Sequence, residues 1–321
     1  MHLLTQIRRE IITSPPFSFL IRKSKKILLP GFQGIPLFDV IRFLFNQAKK
    51  VGFTERASAI AFNFTMTIPP LVITLFTLLP YLPISKNFMA EMFMLIRDVV
   101  PGEKNNAGLI NFLEDMLDNP RTGVLSVGFM LALFFSSNAV LGIMRSFDRQ
   151  YIGFIKRKGM NQRWVALRLT LVLFFLFILC VSALIMQGNV LRWLGVRDAW
   201  LIAIINYVRW ALIVLLFLMS ISFIYRWAPA VHKKWKLINP GSILATFLTM
   251  TFTAGFSYYV SNFSNYNELY GSISTLLILM LLIYFNSLVL LIGFELNVSI
   301  NSLKHEVDER KKNLAGGNHP V

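Results

Sequence analysis

Six long apolar stretches divide the chain, and each is long enough to cross a lipid bilayer. About 20 consecutive apolar residues span the hydrocarbon core of a membrane as an α-helix. The six stretches are Ala57–Leu79, Val124–Met144, Val165–Gln187, Leu201–Tyr225, Gly241–Phe263 and Ser272–Asn297. The pattern therefore predicts an all-α membrane protein with six transmembrane helices.

The segment before the first stretch has a different periodicity. Residues 37–50 place apolar side chains on one face of a helix and charged side chains on the other. This predicts an amphipathic helix that lies on the membrane surface. Its apolar positions are Leu37, Ile41, Leu44, Phe45 and Ala48.

Two further segments lie outside the spans. Residues 80–123 hold two short amphipathic runs, separated by Pro101 and Gly102, and carry six acidic residues. We expect this connection to form a small extracytoplasmic lid. Residues 298–321 follow the last span as a polar tail, and we expect its end to be disordered.

Positive charge lies mainly on alternate connections between the spans. The two terminal segments and the second and fourth connections contain 24 of the 32 Lys and Arg residues, whereas the other three connections contain six. Because cytoplasmic loops carry the excess of Lys and Arg, this asymmetry places both termini in the cytoplasm. Residues 1–56 then form a basic cytoplasmic segment.

The composition agrees with a membrane protein and not with a nucleic-acid-binding one. Charged residues make up 15% of the chain, against about 25% in a soluble domain. The net charge of +16 is explained by a basic rim that faces anionic lipid. We therefore expect membrane lipid, in particular anionic lipid, as a partner and no nucleic acid. Small-residue helix faces leave a homo-oligomer open, and the single cysteine excludes an intramolecular disulfide.

A stripe of hydroxyl residues runs along one face of the fifth span. Its members are spaced by three or four residues, so they share one face of a helix. They are Ser242, Thr246, Thr249, Thr253 and Ser257. Such a stripe lines a solute path or permits close helix packing with hydrogen bonds between helices, and the sequence leaves both interpretations open.

The first span is predicted to be broken near its middle. Asn63 is followed by Pro69 and Pro70, and a proline inside a helix removes a backbone donor and clashes with the preceding turn. Broken helices at this depth recur at transporter binding sites, although a static kink is the alternative. Asn138 in the second span and Asn286 in the sixth are further buried polar candidates for a substrate path.

Three ionisable residues lie inside the spans. Arg168 and Glu295 have similar depths near the cytoplasmic side, so they are expected to form a buried pair or to reach water separately. Arg209 lies near the outer end of the fourth span. Glu268, in the short loop that follows the fifth span, is a partner of compatible depth.

The last third of the chain carries a recognisable set of motifs. They are Asn239-Pro240-Gly241, Tyr259-Val260-Ser261-Asn262-Phe263, Tyr266-Asn267-Glu268-Leu269-Tyr270-Gly271-Ser272 and Gly293-Phe294-Glu295-Leu296-Asn297. Together with Ala57–Phe62 and the proline pair, they resemble the YihY/BrkB family of bacterial inner-membrane proteins. Asn63 stands where that family usually has an aromatic residue.

The resemblance implies a six-span bundle with both termini inside the cell. It also implies a family motif in the outer loop, carried by Asn262, Tyr266, Glu268, Tyr270 and Gly271. The family has been labelled "ribonuclease BN", but a metal-dependent ribonuclease needs clustered ligands. The four histidines are scattered through termini and loops, so we expect no metal, no cofactor and no catalytic residue.

Two functions fit these features. The first is a transporter or flippase-like protein that moves a small solute or an anionic lipid through a polar cleft. The alternative is a scaffold or envelope factor that binds a partner through the amphipathic helix and the acidic outer segment. A membrane enzyme would require a cluster of titratable groups that the sequence lacks.

Overall fold

The computed structural model describes seven stretches of the chain and six isolated positions. The stretches are residues 31–50, 52–78, 122–148, 159–193, 199–231, 234–263 and 273–316, and the positions are Lys23, Ile27, Asp115, Phe154, Ile155 and Arg157. The stretches form eight α-helices. These are α1 (Leu37–Lys50), α2 (Phe53–Thr65), α3 (Ile68–Leu78), α4 (Thr122–Phe147), α5 (Gly159–Trp193), α6 (Ala199–Trp227), α7 (Pro240–Phe263) and α8 (Ile273–Gly316).

Six apolar segments of these helices are long enough to cross a membrane. The combined α2 and α3 supply the first, and each of α4 to α8 supplies one more. Within the described residues the structure is helical, apart from one isolated β-bridge between Phe154 and Val231. The prediction of an all-α protein with six such helices is confirmed, whereas the orientation of the termini stays a prediction.

Several helices extend beyond the predicted spans. Helix α5 begins at Gly159, earlier than the predicted Val165, and α8 continues beyond Asn297 to Gly316. The first part of the predicted tail is therefore helical. Apart from Asp115, Thr122 and Gly123, the predicted lid lies outside the described residues, as does the end of the tail.

The first span is divided into two helices just before its prolines. Helix α2 ends at Thr65, and α3 begins at Ile68, so Pro69 and Pro70 fall in the first turn of α3. Proline is tolerated there because the first N–H groups of a helix have no intrahelical acceptor. The Thr67 hydroxyl donates to the Asn63 carbonyl at 3.0 Å. The expected break is present, and the proline positions explain its location.

The buried core concentrates at one end of the bundle, where α2, α5 and α7 begin and α4 and α6 end. We call this the basic end, since Arg56, Arg145 and Arg226 lie there. Its centre is the Phe147 ring, stacked on Phe294 with centroids 3.9 Å apart and an interplanar angle of 3°. This dense packing fixes the side chains of the sites described below.

Helix α1 packs against the part of α8 that continues beyond the predicted span. Val40 is fully buried there, against a small cluster that includes Leu296 and Ile300. Ile41, in contrast, is 38% exposed. The helix at 37–50 is thus present, but part of its apolar surface covers another helix. Its position on a membrane surface stays a prediction.

Candidate functional site

Two glycines allow α7 and α8 to approach closely at the basic end. A Cβ atom on Gly241 would overlap the Gly293 carbonyl oxygen, and one on Gly293 would overlap the Tyr225 hydroxyl. That hydroxyl donates to the Leu290 carbonyl at 2.6 Å. Small residues at a membrane helix crossing permit such backbone proximity. Two residues of the recognised motifs therefore serve helix packing.

Two asparagines of the same motifs join these helices by hydrogen bonds. The Asn297 amide donates to Asn239 Oδ1 at 2.7 Å and accepts from the Gly241 N–H at 2.9 Å. Asn239 Oδ1 also accepts from the Ser242 N–H at 2.9 Å. Asn239 therefore caps the beginning of α7, since it satisfies an N–H without an intrahelical acceptor.

The buried carboxylate of Glu295 pairs with Arg56. Arg56 Nη1 lies 2.9 Å from Glu295 Oε1, and the side chains are 9% and 0% exposed. Arg56 also donates to the Ser146 carbonyl near the end of α4. This ion pair joins α2, α4 and α8.

Of the two alternatives for Arg168 and Glu295, the pair is not formed, and Arg168 reaches the surface separately. The Arg168 side chain is exposed and lines a surface cavity, whereas Glu295 is enclosed with Arg56. Arg56 was counted with the charged segment that precedes the first span. Arg56 begins the buried face of α2, which also includes Ala57, Ile60 and Ala61. The helical spacing of these residues is the feature of the sequence that could have identified Arg56 as buried.

The predicted path residues in α2 and α4 bond to protein atoms. The Asn63 amide donates to the Ala59 carbonyl at 2.7 Å. Asn63 also packs beside Gly142, where a Cβ would be 2.9 Å from Asn63 Nδ2. The Asn138 side-chain oxygen accepts from Arg163 Nη1 at 2.7 Å. Each amide thus has a structural contact within the bundle.

The hydroxyl stripe of α7 also makes contacts inside the bundle. Thr246 donates to the Ser242 carbonyl at 2.8 Å, and Thr249 is buried. The Asn286 amide of α8 lies 3.3 Å from the Thr253 hydroxyl and donates to the Leu282 carbonyl at 3.0 Å. The Thr253–Asn286 contact joins α7 to α8 and favours helix packing, while a substrate path along the stripe stays a prediction.

An apolar cavity adjoins the break in the first span. It has a volume of about 430 Å³, and α3 and α4 line it with apolar residues alone. They are Pro69, Pro70, Ile73, Gly123, Val127, Gly128 and Leu131. Val127 is 60% exposed, so the cavity lies on the flank of the bundle.

A second cavity, of about 560 Å³, lies at the basic end and has three cations in its lining. We call it the basic cavity; its lining consists of Arg157, Val165, Arg168, Leu171, Val172, Trp227 and Lys234. Arg157 donates to the carbonyls of Trp227, Ala228 and Pro229 at 3.0–3.1 Å. Partial burial lowers the pKa of Arg157, and the charge of Asp148 acts in the opposite direction. The three hydrogen bonds hold the positively charged side chain of Arg157 in place at the end of α6.

The outer ends of the spans are described less completely. Arg209 lies beside the Trp210 ring, with its guanidinium carbon 5.6 Å from the ring centroid. Glu268 lies outside the described residues, so the Arg209–Glu268 pairing stays a prediction. The other outer-loop motif residues, Tyr266, Tyr270 and Gly271, also lie outside, as does the side chain of Asn262.

The fold defines a polytopic α-helical membrane protein. Residues 44–316 match the family described as virulence factor BrkB, and the chain belongs to that family. This agrees with the resemblance carried by the sequence motifs. Several of those motif residues are the ones that join α7 and α8.

Two relatives cover most of the chain. A ribonuclease-like protein of Bacillus subtilis, YfkH, is 26% identical over 259 residues, which cover 79% of this chain and 92% of the relative. A UPF0761 membrane protein of Tolumonas auensis is 24% identical over 270 residues, covering 81% and 85%. No solved structure matches the chain.

Proposed function

We propose that this integral membrane protein is a flippase-like transporter that moves an anionic lipid between the leaflets of the bacterial inner membrane. The observation that carries the proposal is the apolar cavity beside the broken first span. It offers a lipid chain a surface next to a backbone interruption, and such interruptions recur at transporter binding sites.

The lining of the cavity favours a lipid over a small hydrophilic solute. Its walls are entirely apolar, so they gain from contact with an acyl chain and offer no hydrogen bond to a sugar or an ion. Asn63, Asn138 and Asn286 already bond to protein atoms. The geometry therefore supports movement along the flank of the bundle better than passage through a polar cleft.

Charge favours an anionic headgroup. Lys and Arg crowd the terminal segments and alternate connections, and anionic lipid headgroups concentrate near such residues. With both termini in the cytoplasm, the basic end faces the inner leaflet. The lipid would then enter from that leaflet or be delivered to it.

Leaflet exchange in vesicles tests the proposal. The purified protein is reconstituted with fluorescent phosphatidylglycerol, and a membrane-impermeant quencher reports how fast lipid reaches the outer leaflet. Gly123→Leu places a side chain in the apolar cavity, and a Cβ at Gly123 meets no atom within 4 Å. We expect this variant to fold and to move lipid about 5- to 30-fold more slowly, because lost apolar contacts of about 1–2 kcal/mol correspond to such a factor.

Gly255→Leu is the matched control, since a Cβ there also meets no atom within 4 Å and Gly255 does not line the cavity. It should move lipid at the wild-type rate. Equal rates for both variants would remove the cavity from the mechanism. Wild-type vesicles that exchange lipid no faster than protein-free vesicles would refute the transport function itself.

A scaffold is the second candidate, and the docking of α1 on α8 favours it. The two helices form a fixed unit at the basic end through Val40 and Ile300, and the charged face of α8 beyond it is exposed. A folded protein that moves no lipid, but whose cellular role is lost when α1 is detached, would favour this function.

We propose no enzymatic activity. The word ribonuclease belongs to the name of YfkH, and RNA hydrolysis with a metal needs clustered ligands. Among the described residues, no three His, Cys, Asp or Glu side chains form a group that could hold a metal ion.

A further inference from the structure

We propose that the basic cavity binds the phosphate of an anionic phospholipid through Arg157, Arg168 and Lys234. The proposal deepens the proposed function, since it names the headgroup site of the same cargo. Binding can nevertheless be measured without transport.

The cavity brings together cations that the sequence separates. Arg157 precedes α5, Arg168 lies within α5, and Lys234 follows α6. A neighbouring cavity of about 440 Å³ shares Arg157 and Arg168 and adds Asn161 and Trp164 to the lining. The structure thus concentrates three positive charges in a concave surface that is large enough for a headgroup.

Two of these cations are available to a ligand. Arg168 and Lys234 are exposed, and among the described residues neither forms an ion pair. The bonds of Arg157 to the end of α6 use three of its five N–H donors. Asp148 is the carboxylate that acts on Arg157, and its single charge leaves the group of three cations net positive. Guanidinium and ammonium groups in this arrangement are suited to a phosphate.

The other walls of the cavity distinguish a lipid from free phosphate. Leu171 and Val172 follow Arg168 by three and four residues, so they lie on the same face of α5. Arg168 lies three residues inside the predicted span that starts at Val165, which corresponds to about 5 Å along the helix. A long Arg side chain at this depth reaches the headgroup level while its apolar neighbours contact acyl chains.

Two tryptophans lie near the same headgroup level as these cations. Trp164 is 57% exposed and lines the neighbouring cavity, and Trp227 lines the basic cavity itself. Trp is enriched at membrane–water interfaces, where its ring lies among the headgroups. The two cavities therefore combine cations suited to the phosphate with tryptophans and apolar residues suited to the interface and the chains of a phospholipid.

Lipid binding to the full-length protein tests the site. The purified protein is titrated with phosphatidylglycerol, and bound lipid is counted by native mass spectrometry. We expect the double variant Arg168→Gln and Lys234→Gln to bind it at least about tenfold more weakly, because charge-assisted hydrogen bonds to phosphate are lost. Arg157 is left unchanged because it holds the end of α6.

Lys304→Gln is the control for the loss of positive charge. Lys304 is exposed on α8 and does not line the basic cavity, so this variant should bind as the wild type does. Phosphatidylcholine, whose phosphate charge is balanced by its own choline cation, should bind the wild type more weakly than phosphatidylglycerol does. Unchanged phosphatidylglycerol binding in the double variant would overturn the proposal.

Competition with inorganic phosphate distinguishes a lipid-binding site from a site for a free anion. Millimolar phosphate should leave lipid binding unchanged, because it lacks the acyl chains that contact Leu171 and Val172. Full displacement at that concentration would overturn the assignment to a lipid. If the wild type binds phosphatidylglycerol at this site but exchanges no lipid between leaflets, the site stands and the proposed transport fails.

Discussion

Glu295 lies fully buried where α2, α4 and α8 meet, with its carboxylate against Arg56. Depth along the spans made Arg168 a candidate partner for it, but Arg168 lines the basic cavity instead. Depth follows from counting residues, whereas the choice between two arginines depends on how each helix is rotated about its axis. Sequence could therefore raise a buried pair for Glu295 as one of two alternatives, but it could not identify Arg56 as the partner.

Removal of the Glu295 charge should destabilise the protein strongly. We expect Glu295→Ala to lower the free energy of unfolding by about 3–5 kcal/mol, because Arg56 is left buried without a counter-charge. Thermal unfolding in detergent measures the effect. Arg168→Gln is the control and should unfold at the wild-type temperature, since Arg168 is exposed.

A double variant separates the effect of charge on stability from the effect of side-chain packing. Arg56→Met with Glu295→Leu removes both charges and keeps side chains of similar volume, so it should regain much of the lost stability. Equal unfolding temperatures for Glu295→Ala and the wild type would contradict a stabilising ion pair.

Some helix ends are set by local sequence and others by contacts with distant parts of the chain. The break between α2 and α3 follows from the missing N–H groups of Pro69 and Pro70, so it could be predicted from two residues. The continuation of α8 to Gly316 could not, because the sequence after Asn297 is polar. Its apolar positions, such as Ile300, are covered by α1, which lies far away in the chain.

The contact between α1 and α8 gives a prediction at this scale. We expect Val40→Asp to detach α1, because Val40 is fully buried against α8 and an unpaired charge is costly to bury. Limited proteolysis should then cut within or beside α1 much faster than in the wild type.

Ile41→Asp makes the same chemical change at the adjacent position. Ile41 is 38% exposed, so this variant should resist proteolysis nearly as well as the wild type. Equal susceptibility of both variants would mean that α1 is held by the membrane surface alone, as the amphipathic pattern by itself suggested.

Among the residues that the structure describes, the dense core and most charged side chains lie at the same end of the molecule. Phe147, Tyr225 and Phe294 pack there, next to the Asn239–Asn297 bonds and the basic cavity. The charge asymmetry of the sequence predicts that this end faces the cytoplasm and its anionic leaflet. This rigid end and the broken span farther along the bundle are the two features on which the proposed transport depends.

Cysteine labelling tests the orientation of the bundle. In a Cys180→Ala background, Lys304→Cys should react with a membrane-impermeant maleimide only after the cells are lysed. Asp115→Cys, in the first connection, should react in intact spheroplasts. Labelling of Lys304→Cys in intact spheroplasts would reverse the orientation and place the basic cavity in the outer leaflet.

The sequence by itself determined the number of apolar helices, the break in the first span and the predicted orientation, because hydropathy, missing N–H groups and loop charge act within short windows of the chain. Only the tertiary structure decided that Arg56 binds Glu295, across 239 positions of sequence. It also decided that Arg157, Arg168 and Lys234 share one cavity. These contacts depend on the rotation and crossing of packed helices, which no local pattern specifies.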